Sequence, residues 1–170
     1  ALFILSIIFW FLLDLIRINK FKNKISYPIL IFILLLIILQ IILGAFLSGL
    51  DGGLIYNTWP DMNGTLFPND VSSGDYINSQ LFYNASIIQF FHRATAYVLL
   101  IFIIILNYFF FIKKLSFFTI LIFDFAILLQ IFLGIITLVS GVEIKYASLH
   151  QLGSIFVLSS YLLILHKNFS

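Results

Sequence analysis

His92, in Gln89-Phe90-Phe91-His92-Arg93, and His150, in Leu149-His150-Gln151, each stand just inside the start of a long apolar stretch with almost no other polar chemistry. An ionisable side chain within an apolar span is expensive unless it is used, and two at one depth suggest a ligand held in common. Zinc would ask for further Cys, His or carboxylate donors at that level, and the sequence offers none there. Two imidazoles facing one another are the axial set of a single haem iron. With both axial positions filled, such an iron carries electrons and does no bond chemistry. Interhelical hydrogen bonding, common for polar side chains in membrane bundles, is the other use of the pair. Cysteine is absent, which excludes disulfides, iron–sulfur clusters and attachment through a C-x-x-C-H run, so any haem is held non-covalently.

The neighbours of the pair carry two readings each. Arg93 follows one candidate ligand, and its guanidinium could pair with haem propionates or reach lipid headgroups. Gln89 and Gln151 could orient an imidazole or bond helix to helix. His166, beside Lys167, reads as an interfacial residue. Asp14 lies near a span boundary, whereas Asp124 falls two to three turns inside one, where it would pair with Tyr or Ser of a neighbouring helix or begin a proton path.

The elements that must position these residues are membrane helices. With 62% hydrophobic and 9% charged residues and a mean hydropathy of +1.16, the chain lies far from soluble averages. A bilayer core of about 30 Å needs roughly 20 apolar residues as helix. Residues 28–49, 85–112, 115–140 and 146–165 meet that length, and residues 1–16 read as the tail of a further helix. Ala1 already lies inside an apolar run, with neither methionine nor a basic leader, so the chain is expected to be a fragment. The expected fold is all-α: polytopic transmembrane helices forming a four-helix haem-binding bundle over residues 28–166, plus that preceding tail.

Charge gives the orientation. Arg17, Lys20, Lys22 and Lys24 precede the first full span, Lys113 and Lys114 lie between the second and third, and Lys167 follows the last. The opposite loops hold Lys145 with Asp51, Asp61, Asp70, Asp75 and Glu143. The positive-inside rule therefore places the basic loops in the cytoplasm, or the matrix of a mitochondrion, and the long loop 51–84 outside. The net charge of +2 describes topology and suggests no nucleic-acid partner. The loop carries Gly52-Gly53, Trp59-Pro60, Asn63-Gly64 and Pro68 as turn formers, with Tyr56, Trp59, Phe67 and Tyr76 suited to a membrane interface. Its plain reading is an interfacial cap.

The chain also repeats itself. Leu39-Gln40-Ile41-Ile42-Leu43-Gly44 and Leu129-Gln130-Ile131-Phe132-Leu133-Gly134 are each followed by Ser-Gly and then by a histidine helix. Two helix pairs and a pseudo-symmetric site follow. His92 and His150 fall about seven and about four residues after their expected helix starts, within about 5 Å of one level at 1.5 Å per residue. Gly44 and Gly134 reach similar height, where a missing side chain admits a close helix or a flat macrocycle.

Gln40-Ile41-Ile42-Leu43-Gly44-Ala45-Phe46, Gly49-Leu50-Asp51-Gly52-Gly53-Leu54 and Tyr56-Asn57-Thr58-Trp59-Pro60-Asp61-Met62-Asn63-Gly64 follow one another in this order, ahead of Gln89-Phe90-Phe91-His92-Arg93 with Ala96-Tyr97, Leu133-Gly134-Ile135-Ile136-Thr137-Leu138 and His150-Gln151. Over nearly the whole chain this order resembles the heme A synthase family, in its proteobacterial and mitochondrial form. The resemblance implies an eight-helix membrane oxidoreductase of two similar halves that oxidises the C8 methyl of heme O to the formyl of heme A. Residues 28–166 resemble its second half, in which His92 and His150 match the axial ligands of a heme B cofactor. The substrate's ligands and a catalytic glutamate belong to the first half, so no catalytic residue is assigned here. Implied partners are heme O, the bilayer, heme O synthase and cytochrome oxidase assembly factors. The implied location is the bacterial inner (plasma) membrane, or the mitochondrial inner membrane in a eukaryote. Two other classes remain open: a quinol-linked cytochrome b-type subunit, which commonly needs four histidines at two depths, and a scaffold or transporter segment without cofactor.

Overall fold

The computed structural model describes residues 1–72, 74 and 81–169; Asp75 and Tyr76 of the long loop lie outside them. The described elements are helical: α1 (Leu2–Leu15), α2 (Tyr27–Gly49), α3 (Ala85–Ile112), α4 (Phe117–Val139) and α5 (Ile144–Asn168), with single 3-10 turns at Gly52–Leu54 and Leu81–Tyr83. Helices α2 to α5 are each long and apolar enough to cross a membrane, and α1 is a shorter apolar helix. Each begins or ends within three residues of the expected boundary. The largest differences are at α5, which starts two residues earlier and runs on to Asn168.

Local chemistry sets the helix ends. Pro28 occupies the first turn of α2, where its missing N–H is no loss. Asn84 caps α3 by accepting from the Ile87 N–H at 3.1 Å. Four helices end at a residue with positive φ, Asp51 (50°) after α2 among them; three of these turns close alike, at Arg17 (52°) after α1, Lys114 (52°) after α3 and Gly141 (69°) after α4. In each, the next N–H reaches back to a carbonyl of the last turn: Ile18 to Leu13, Leu115 to Phe110 and Val142 to Thr137. These are Schellman closures, which satisfy carbonyls that would otherwise be orphaned.

Helices α2 and α3 pack as one antiparallel pair and α4 and α5 as another; lighter contacts between α3 and α4 and between α2 and α5 close the four into a ring, with α1 against α5. The packed core lies in the half of the bundle next to the basic loops, where Leu30, Ile33 and Ile37 of α2 meet Leu106, Phe123, Ala126, Tyr161 and Ile164. Tyr161 donates its hydroxyl to the Leu30 carbonyl at 2.7 Å, as a buried phenol must find an acceptor.

The segment before α2 closes this end. The Phe21 N–H donates to the Lys167 carbonyl at 2.7 Å, and Asn168 exchanges hydrogen bonds with both backbone groups of Ile25. His166, expected at an interface, is instead 1% exposed. Its Nε2 lies 2.7 Å from an Asp14 carboxylate oxygen, Trp10 packs edge-on against its ring, and Lys20 donates to its carbonyl at 2.9 Å. The physical reason is α1, which covers this face of α5 and brings the carboxylate with it.

Candidate functional site

His92 lies seven residues into α3 and His150 six residues into α5. The two helices run in the same direction, so the imidazoles stand about 10 and about 9 Å along them. The depths match more closely than the sequence alone suggests, because α5 starts earlier. Both residues are half-buried.

The repeat becomes geometry at this level. Gln40 and Gly44 are one turn apart on α2, hence on one face, and that face meets His92. The Gln40 amide nitrogen lies 3.3 Å from Nδ1 and 3.2 Å from Nε2 of His92. A Cβ at Gly44 would come within 3.2 Å of its Cε1. Gln130 and Gly134 repeat the arrangement on α4 against His150. The His150 Nδ1–H donates to the Gln130 main-chain carbonyl at 3.1 Å, the Gln130 amide donates to the His150 carbonyl at 2.9 Å, and a Cβ at Gly134 would stand 2.9 Å from the His150 Cε1. Both glutamines thus contact a histidine, a role signalled in sequence by the repeated motif and not by the adjacency of Gln89 and Gln151 to the histidines.

Gln89 instead donates to the Tyr56 carbonyl at 2.9 Å, and Gln151 is exposed beside His150. Asp124 accepts from Asn107 at 2.9 Å across the α3–α4 contact; it is paired, with an amide rather than with Tyr or Ser.

Residues 56–61 of the long loop lie at the histidine end of α3 and are tied down by Arg93. Its guanidinium donates to the carbonyls of Thr58 (3.0 Å), Asp61 (2.7 Å) and Tyr56 (2.9 Å). A guanidinium carries five N–H donors, so three carbonyls leave capacity for an anion. Met62 and Thr65 pair across Asn63-Gly64, both with positive φ, as a type I′ turn requires. Asp61 accepts from the Thr58 hydroxyl at 2.5 Å and the Gly64 N–H at 3.2 Å. The Thr58 hydroxyl, then that N–H and the Arg93 charge, hold its carboxyl below the usual range. Asp70 receives the hydroxyls of Tyr56 (2.5 Å) and Ser86 (2.6 Å). Burial alone raises the Asp70 carboxyl, but these hydroxyls outweigh it and leave the group below its ordinary value. Burial, then the bond to Asp70, pushes the Tyr56 phenol up.

The residues present fit a flat, two-sided ligand. The contiguous core cluster ends at Ile37, Leu99, Ile127 and Val157; beyond it residues 92–96 and 133–138 are half-buried, and Leu43, Ile87 and Ile88 are buried again. Two glycines leave clearance at the imidazoles, and the side-chain oxygens of Gln40 and Gln130 are buried without partners. Among the described residues no group of three or more His, Cys, Asp or Glu is gathered as a metal cage, so the donors at this level are the two imidazoles.

Residues 1–162 match the family model described as cytochrome oxidase assembly protein. The chain is 71% identical over 168 residues to a heme A synthase of Pelagibacter ubique (strain HTCC1062), covering 99% of this chain and 50% of that protein. It is 37% identical over 119 residues to a heme A synthase of Wolbachia pipientis wMel, covering 70% of this chain and 33% of the relative. For a heme A synthase of Rickettsia bellii (strain OSU 85-389) the figures are 36% over 122 residues, 68% and 35%. The chain thus spans between a third and a half of the length of these relatives. No solved structure matches. With the match running through all five helices and both histidines, the chain belongs to the cytochrome oxidase assembly protein family.

Proposed function

We propose that this chain is the electron-transfer half of a heme A synthase, holding one heme B between His92 and His150. In this reading residues 1–16 are the tail of a preceding helix and residues 28–166 form a four-helix unit. The whole protein oxidises the C8 methyl of heme O to the formyl of heme A in the bacterial inner membrane. The observation that carries the proposal is the duplicated Gln-x-x-x-Gly face, each copy seated against one histidine at matched helix depth.

When bound, a bis-imidazole haem supplies one-electron transfer without an open coordination position. The chain's own residues do the rest. The Gln130 carbonyl holds the proton on Nδ1 of His150, leaving Nε2 as the donor atom. Gly44 and Gly134 leave the clearance that the imidazoles need beside α2 and α4. Arg93 holds residues 56–61 over the site and has donor capacity left for a propionate. Heme O synthase and cytochrome oxidase assembly factors are the partners that supply the substrate and receive the product.

Co-expression with heme O synthase, followed by pigment extraction and chromatography, tests the activity. The full-length protein converts heme O to heme A, and this chain alone does not. Heme A formed by this chain alone would mean that His92 and His150 bind substrate rather than cofactor.

A further inference from the structure

The two histidines meet their neighbouring helices by different chemistry. At His150 the partner is a main-chain carbonyl, that of Gln130, 3.1 Å from Nδ1. A carbonyl only accepts, so the proton sits on Nδ1 and Nε2 keeps its lone pair. His92 meets the side chain of Gln40 instead, with the amide nitrogen 3.2 to 3.3 Å from both ring nitrogens. The oxygen of that same amide is buried without a hydrogen-bond partner, a costly state for a strong acceptor in a membrane interior. Half a turn of the amide exchanges its oxygen and nitrogen with no change of shape, and an imidazole that gives Nε2 to a metal keeps its proton on Nδ1 and needs an acceptor there. The oxygen then faces a ring N–H.

We propose that Gln40 is the positioning residue for His92: its amide oxygen accepts the imidazole Nδ1–H and leaves Nε2 to ligate iron, the side-chain counterpart of the Gln130 carbonyl at His150. The inference rests on the haem reading above. It makes the two axial positions inequivalent. The His150 proton is held by backbone, which no substitution removes, whereas the His92 proton is held by a side chain that one substitution changes. An acceptor on Nδ1–H raises the electron density at Nε2 and favours oxidised iron. A carboxylate there pushes further in that direction, and an apolar side chain withdraws the effect.

The test uses haem retention and a spectroscopic redox titration of the haem-loaded protein, neither of which depends on turnover. Gln40→Leu weakens haem binding about 10- to 100-fold and raises the midpoint potential. Gln40→Glu keeps the haem and lowers the potential below that of the unaltered protein. Gln151→Leu, which removes an exposed amide beside His150, leaves both unchanged. Retention and potential unmoved in Gln40→Leu, or a shift of the same sign in the Leu and Glu variants, overturns the role of Gln40. A bis-imidazole spectrum surviving in either His92→Ala or His150→Ala overturns the haem reading itself, and with it the inference; its loss in both variants together with an unmoved Gln40→Leu overturns only the inference.

Discussion

Gly134 lies so close beneath His150 that a Cβ there would stand 2.9 Å from Cε1 and 3.3 Å from Nδ1, and the same ring donates to the Gln130 carbonyl one turn away. A methyl group at that position has nowhere to go except against the imidazole. Gly134→Ala therefore lifts the ring, breaks the Nδ1–H bond to Gln130 and weakens haem binding about 10- to 100-fold, as loss of an orienting partner does. Gly44→Ala, with 3.2 Å of clearance to His92, has the smaller effect. Haem content after purification, read for both variants, checks the order.

Arg93 binds three carbonyls of residues 56–61. Replacing it with Leu leaves those carbonyls to water and loosens the loop by about 2 kcal/mol, the scale for hydrogen bonds to a charged group. Hydrogen exchange should rise at residues 56–65 and stay unchanged at the core of α2. Lysine restores the charge but not the fork, so Arg93→Lys recovers only part of the protection.

The Asp70 carboxyl sits below its ordinary value because the Ser86 and Tyr56 hydroxyls outweigh the effect of burial. A depressed folded pKa contributes stability above the unfolded value, and that contribution disappears as the pH falls through the folded value. The tie between loop and α3 is therefore constant around neutrality and lost only below the usual carboxylate range. Proteolysis of the loop should accelerate in that acid window, and Asp70→Asn should show the acid behaviour at pH 7.

Seven of the nine basic residues lie at the end where the packed core sits. The positive-inside rule predicts that this end faces the cytoplasm, or the matrix of a mitochondrion. Lys22 and Leu66 are both exposed, at opposite ends. In intact cells an impermeant thiol reagent should label Leu66→Cys and spare Lys22→Cys. The reverse pattern inverts the topology.

Much of this was legible in the sequence because membrane solvent simplifies the problem. Spans of about 20 apolar residues leave helix as the available form, so α2 to α5 fall within a few residues of expectation. The repeat around Gln40 and Gln130 announced two equivalent helix pairs. Less legible was everything that depends on long-range partners. His166 reads as interfacial until α1 is seen to cover it with Asp14, a contact 152 residues apart in sequence. Gln89, adjacent in sequence to the His92 turn, serves the loop, whereas Gln40, 52 residues away from His92, serves the imidazole. Helical periodicity gives the face of a residue but not which neighbour that face meets. Arg93 was legible as a cation at the site and not as the residue that ties down the loop, because its acceptors are main-chain carbonyls that carry no sequence signal.

Whether one haem lies between His92 and His150 is decided by the low-temperature EPR and visible spectrum of the purified protein with each histidine removed in turn. One low-spin bis-imidazole haem b per chain is expected, abolished in His92→Ala and in His150→Ala and retained in His166→Ala. A low-spin haem that survives the loss of His92 or His150, or that disappears with His166, would contradict it.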